Sequence, residues 1–113
     1  MGAVENIMTW QAVCESSDLG EMTGARALLN GEQVAMFRVK GTLYAISAID
    51  PFSKAAVLAR GIVGSLKGQI VVASPLLKQH FNLETGQCLE DETVSIKTYG
   101  IRESNGKIEL ANN

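Results

Sequence analysis

Few side chains in this sequence have the chemistry to do more than build structure. His80 is its single histidine and stands beside Phe81. Cys14 and Cys88 are far apart, with no CxxC or Cys/His grouping. Asp50 and Ser74 each precede a proline, and Glu90-Asp91-Glu92 forms a short acidic run. An imidazole serves as an acid/base group or a docking contact, but a lone histidine next to a phenylalanine is more often a partly buried structural residue. The cysteines read as inert buried thiols in preference to a disulfide or a redox pair. Asp50 suits a turn cap that accepts backbone N–H groups, and no second acid accompanies it to make a catalytic pair. The acidic run reads as a solvated corner in preference to a cation site. Gly61-Ile62-Val63-Gly64 lacks the spacing, and the Lys-Ser/Thr, of a phosphate-binding loop.

The elements that must position these residues are short. Thr9–Cys14 alternates and carries Trp10 and Val13, which predicts an opening strand. Ser16-Ser17-Asp18-Leu19-Gly20 predicts a loop with room for one helical turn capped by Ser16 or Ser17. Apolar runs at 25–29 and 33–39 flank Asn30-Gly31, a dipeptide that tolerates the positive φ of a tight hairpin. Lys40-Gly41 supplies a second turn before a strand over 42–46. Residues 50–54 predict a loop, and 55–60 a short helix ended by Gly61. A hairpin with a longer connection over 64–68 is expected to join 62–63 to 69–73. A second loop follows, then strands at 80–83 and 87–89. Closing strands are expected at 94–99 and 107–110, the latter entered through Asn105-Gly106. Strands of this kind, with at most one or two short helices, predict an all-β sandwich or small barrel.

The 113 residues fit one domain with one core. At 46% apolar and 19% charged, the chain is too rich in core-forming residues for disorder. Its net charge of -2 gives no electrostatic reason to expect nucleic acid or an anionic membrane as partner. No basic-then-apolar leader or membrane-length run is present, so the cytoplasm is the expected compartment. Residues 1–8 are expected to be a flexible leader, 9–110 the domain and 111–113 a tail.

The loops at 50–54 and 74–86 resemble the pair that holds the iron–sulfur cluster in Rieske domains. The phrase Ser74-Pro75-Leu76-Leu77, followed by Phe81-Asn82-Leu83-Glu84-Thr85-Gly86, keeps that family's proline, phenylalanine and Thr-Gly turn. By that likeness Asp50 and Phe52 stand where the first Cys and His belong, and Ser74 and Leu77 where the second pair belongs. A closer likeness is to the small subunits of NADH-dependent assimilatory nitrite reductase, which look like Rieske domains without the ligands. It rests on Asp50-Pro51-Phe52-Ser53, on Leu58-Ala59-Arg60-Gly61-Ile62-Val63-Gly64, on Ala73 to Phe81, and on Thr85 to Asp91.

The resemblance implies a Rieske-like fold with two loops at one tip and a cytoplasmic role in nitrate assimilation. It further implies a large partner subunit carrying FAD, sirohaem and an iron–sulfur centre, which reduces nitrite to ammonium with electrons from NADH. This chain would be a non-catalytic accessory without a cluster of its own. Phe52 and Leu77 would then pack together, each burial contributing roughly 1.5–3 kcal/mol. Lys54, Arg60, Lys78, Gln79 and His80 would rim an apolar docking centre of Phe52, Leu76 and Leu77. Two other readings compete: a Rieske-type ferredoxin, and a stand-alone ligand-binding β-domain that reuses the emptied loop cavity.

Overall fold

A computed structural model describes residues 9–112. Among the described residues, nine strands form three three-stranded antiparallel sheets. One sheet joins β1 (Gln11–Glu15), β9 (Lys107–Asn112) and β8 (Tyr99–Ser104), in the order β1-β9-β8. A central sheet runs β2 (Gly24–Leu29), β3 (Glu32–Val39), β4 (Thr42–Ser47). The third runs β5 (Ile62–Leu66), β6 (Gln69–Ala73), β7 (His80–Asn82). The all-β expectation holds. No helix among the described residues is long and apolar enough to cross a membrane.

The central sheet is covered on both faces, which explains why β3 loses the period of two. Successive strand residues point to opposite faces. Val34 and Met36 join one core with Leu29, Ile108 and Leu110, while Ala35, Phe37 and Val39 join the other with Val72, Phe81 and Leu83. Arg38, next in the strand, turns outward to bind the first 3-10 turn (Ser16–Asp18). Its guanidinium donates to the Leu19 carbonyl at 2.9 Å and to Ser16 Oγ at 2.9 Å.

Four local expectations need correction. The Ser16–Asp18 turn has no side-chain cap, because Ser16 Oγ serves Arg38 instead. The expected helix over 55–60 shrinks to a 3-10 turn at Leu58–Arg60, since the Ala55 carbonyl accepts the Asp50 and Val57 N–H groups. The third hairpin is tight: Gly64 and Ser65 pair with Val71 and Ile70, and only Lys67-Gly68, both at positive φ, make the turn. The strands expected at 87–89 and 94–99 are reduced to isolated bridges, and the closing strand begins at Tyr99. The 1–8 leader and Asn113 lie outside the described residues.

Candidate functional site

The two loops are copies of one backbone device. Each begins with a residue before proline, at Asp50 and Ser74. In each the starting carbonyl accepts the N–H four residues on, from Lys54 at 2.7 Å and from Lys78 at 3.1 Å. Each closing lysine adopts positive φ, 65° and 68°. The first residue's own N–H reaches the carbonyl five residues on, Ala55 or Gln79, both at 2.9 Å. Its side-chain oxygen accepts the N–H two residues on: Phe52 to Asp50 Oδ1 at 2.8 Å, and Leu76 to Ser74 Oγ at 3.3 Å. Proline suits the next position because its ring presets φ for a turn.

The copies meet through their first residues. Asp50 and Ser74, 24 residues apart in sequence, are the two buried polar side chains among the described residues, and Ser74 Oγ donates to Asp50 Oδ2 at 2.5 Å. Burial pushes the Asp50 carboxyl up, but the Ser74 hydroxyl and the Phe52 and Ser53 amides outweigh it and hold the group below its usual range. Asp50 is thus the cap its sequence position predicts, and also the tie between loops.

Phe52 and Leu77 part company. Phe52 packs on the core beside Phe81, with ring centroids 6.3 Å apart, whereas Leu77 is 50% exposed. The expected packing of one on the other is therefore replaced by Phe52 on Phe81, because the second loop turns its third and fourth residues outward. Lys54, Arg60 and Lys78 are exposed, and Gln79 and His80 are half-buried. Gln79 Oε1 is buried without a hydrogen-bond partner.

His80 is held by Glu90, ten residues away and joined to it by no local pattern. Glu90 Oε1 accepts the His80 N–H at 2.8 Å, and Oε2 lies 2.6 Å from Nδ1. Burial acts to raise the Glu90 carboxyl, yet the contacts to His80 hold it below the ordinary range. Cys88 Sγ lies 3.8 Å from Glu90 Oε1, and burial pushes that thiol up, away from the reactive thiolate. The acidic run is therefore not wholly solvated: its first member is structural. A folded-state value held low stabilises the protein above the unfolded value and loses that contribution as pH falls through the folded one. Glu90→Gln is accordingly expected to flatten the acid limb of stability between about pH 5 and 3, by about 1 kcal/mol or less for so exposed a pair. Urea midpoints across that range, on both proteins, would check it.

The donor set can be tested against the Rieske resemblance. Such a cluster takes two thiolates on one iron and two imidazoles on the other. Here the corresponding residues offer a carboxylate and a hydroxyl already bonded to each other, a phenyl ring and an isobutyl group. The chain's single imidazole is engaged at Nδ1 by Glu90. These residues do not fit a Rieske [2Fe–2S] cluster, and no group of three His, Cys, Asp or Glu among the described residues is arranged to hold a metal ion.

Comparison with known proteins places this geometry. Residues 9–111 match the family described as Rieske-like [2Fe-2S] domain. The chain is 47% identical over 103 residues to the nitrite reductase (NADH) small subunit of Salmonella typhimurium, covering 89% of this chain and 95% of that one. A crystal structure from Mycobacterium tuberculosis, described as an NADH-dependent nitrite reductase small subunit, superposes with a TM-score of 0.90 at 42% identity. That match covers 96% of this chain and 98% of the other. A third relative is a nitrite reductase [NAD(P)H] large subunit of Klebsiella oxytoca, 33% identical over 103 residues, 91% of this chain but 11% of that protein. Fold, loop architecture and relatives agree that the chain belongs to the Rieske-like [2Fe-2S] domain family, within the group of NADH-dependent nitrite reductase small subunits.

Proposed function

We propose that this chain is a non-catalytic accessory subunit of an NADH-dependent nitrite reductase. It docks on a large subunit that carries FAD, sirohaem and an iron–sulfur centre, and it binds no cluster itself. The observation that carries the reading is the junction between the loops. Where a Rieske protein would present sulfur and imidazole, Ser74 closes on Asp50 and leaves no free donor pair. The ferredoxin reading would require that pair. The Klebsiella relative supports the partnership, since a segment like this chain lies there within a large subunit. The ligand-binding reading has less support, because Asp50 and Ser74 are both buried and bonded to each other.

The test is co-expression of the large subunit with and without this chain, following nitrite-dependent NADH oxidation. The complex is expected to co-purify, and omission of the chain to cut the rate by roughly tenfold, equivalent to about 1.4 kcal/mol of barrier. The chain alone is expected to be colourless, without iron or acid-labile sulfide. Unchanged turnover without it would sink the accessory role. An iron- and sulfide-bearing preparation would restore the ferredoxin reading.

A further inference from the structure

The cations of this protein fall into two groups. Arg38, Lys97, Arg102 and Lys107 pair with Glu103, Glu32, Glu109 and Glu15, all on or beside the β1-β9-β8 sheet. Among the described residues, the side chains of Arg26, Lys54, Arg60 and Lys78 make no ion pair, and neither do the ammonium groups of Lys40 and Lys67 in the hairpin turns, although the Lys40 backbone N–H donates to the Glu21 carboxylate. A near-neutral chain therefore keeps free positive charge around and beside its two loops.

Two of the free cations line one cleft. Between the first loop and β5 the chain crosses β2 at Gly24, so closely that a Cβ there would lie 2.1 Å from the Ala59 carbonyl oxygen. Gly24 pairs with Phe37 and Arg26 with Ala35, which puts Gly24 and Arg26 on the same face of the sheet. Arg26 thus stands beside the crossing chain, and Arg60 leaves its far end. The cleft between them has a volume of ≈ 450 Å³, and its other walls are Gly24, Ala25, Ala56 and Ala59. Arg26 is tethered only by a long 3.4 Å contact to the Ala56 carbonyl. Among the described residues no acid lines the cleft, so nearly all the donors of the two guanidinium forks are unspent there. A carboxylate matches that fork geometry with paired, charge-assisted hydrogen bonds.

We propose that this cleft is the acid-receiving slot of the docking surface. Arg26 and Arg60 clamp a carboxylate presented by an acidic segment of the large subunit. The inference rests on the accessory-subunit reading and adds the site of contact and the chemistry the partner must offer. A protein is favoured over a small anion by what adjoins the slot. Ile62, two residues beyond Arg60, is 73% exposed, and its strand partner Ala73 leads into the loop where Leu76 and Leu77 are 52% and 50% exposed. Apolar surface next to free charge is how protein interfaces are built, and a small anion has no use for it.

The test measures the affinity of the purified chain for the purified large subunit, by calorimetry at low and moderate salt. Arg26→Glu and Arg60→Glu are each expected to weaken binding about tenfold and the double variant about 100-fold, with a shallower salt dependence. Lys67→Glu, in the β5–β6 turn, should bind as wild type does. Both arginines are exposed, and circular dichroism with a melting curve would verify that the variants fold. If wild type binds and the double variant binds equally well, the slot is refuted and the accessory role stands. If folded wild type does not bind the large subunit at all, the accessory role falls and the slot with it.

Discussion

Replacing Asp50 with alanine is expected to cost about 4 kcal/mol of folding stability, a large share of the 5–15 kcal/mol typical of a domain. The variant would strand the buried Ser74 hydroxyl and the part-buried Phe52 and Ser53 amides. Each buried group left without a partner costs about 1–3 kcal/mol, and the long 3.4 Å Ser53 contact lies at the low end. Asp50→Asn keeps an acceptor for Phe52 and offers a donor to Ser74, so about 1 kcal/mol is expected there. Ser74→Ala leaves a buried carboxylate oxygen short of its donor, at about 2 kcal/mol. The informative measurement is the double-mutant cycle by urea denaturation. Asp50→Ala with Ser74→Ala should fall about 1–2 kcal/mol short of the summed singles, because the second change removes a group the first had orphaned. Strict additivity would mean the two loops are not coupled through this bond. The pH dependence has a definite sign. Because the Asp50 carboxyl is held low in the folded protein, its contribution is complete above the unfolded value and disappears as pH drops through the folded one.

Gly86→Ala is expected to cost about 3 kcal/mol. The residue is buried at φ +81°, and an added Cβ would sit 2.1 Å from the Ile96 carbonyl oxygen. That obstacle is backbone, and it is pinned: the Ile96 N–H donates to the Gly86 carbonyl at 2.9 Å, while the Gly86 N–H donates to Asn82 at 2.8 Å. Left-handed backbone costs an alanine roughly 1–2 kcal/mol, and forced overpacking adds a further 1–3. Gly31 provides the control, with φ +85° and nothing within 4 Å of its notional Cβ. Gly31→Ala should show the conformational penalty alone, about 1 kcal/mol. At roughly 4–8 °C per kcal/mol for a domain near this size, Gly86→Ala should lower the Tm by about 12–24 °C. Equal losses at the two glycines would overturn the steric account.

What could be read from the sequence followed from how local each signal was. Asn30-Gly31, Lys40-Gly41 and Asn105-Gly106 each announce a turn because the required positive φ belongs to the dipeptide itself. Lys67-Gly68 carries the same signal, but Gly64 and Ser65 beside it look equally like a loop, and only pairing with β6 makes them strand. The segment 94–98 has the alternation of a strand but bridges its neighbours only singly, Ser95 with Gln87 and Thr98 with Ile46, so no continuous ladder forms along it. At the site, the family likeness located both loops, and Asp50 could be read as a cap because its partners lie two and three residues on. The analogy with an imidazole that must face a metal predicts that Leu77 turns inward. Without that constraint its loop position faces solvent. Neither Glu90 against His80 nor Arg26 near Arg60 is legible in the sequence, because ten and thirty-four residues separate them and no local pattern connects the partners.

Each loop is closed by its own backbone hydrogen bonds, and the side chains at the meeting point cap those loops and join them. This bears on how such a domain changes over evolutionary time. In a design where the metal folds the loops, losing one ligand unravels the rest, and no lineage crosses that gap in single steps. Where the backbone already closes each turn, ligands are exchangeable one by one, and every intermediate sequence remains a folded protein on which selection for a new partner can act.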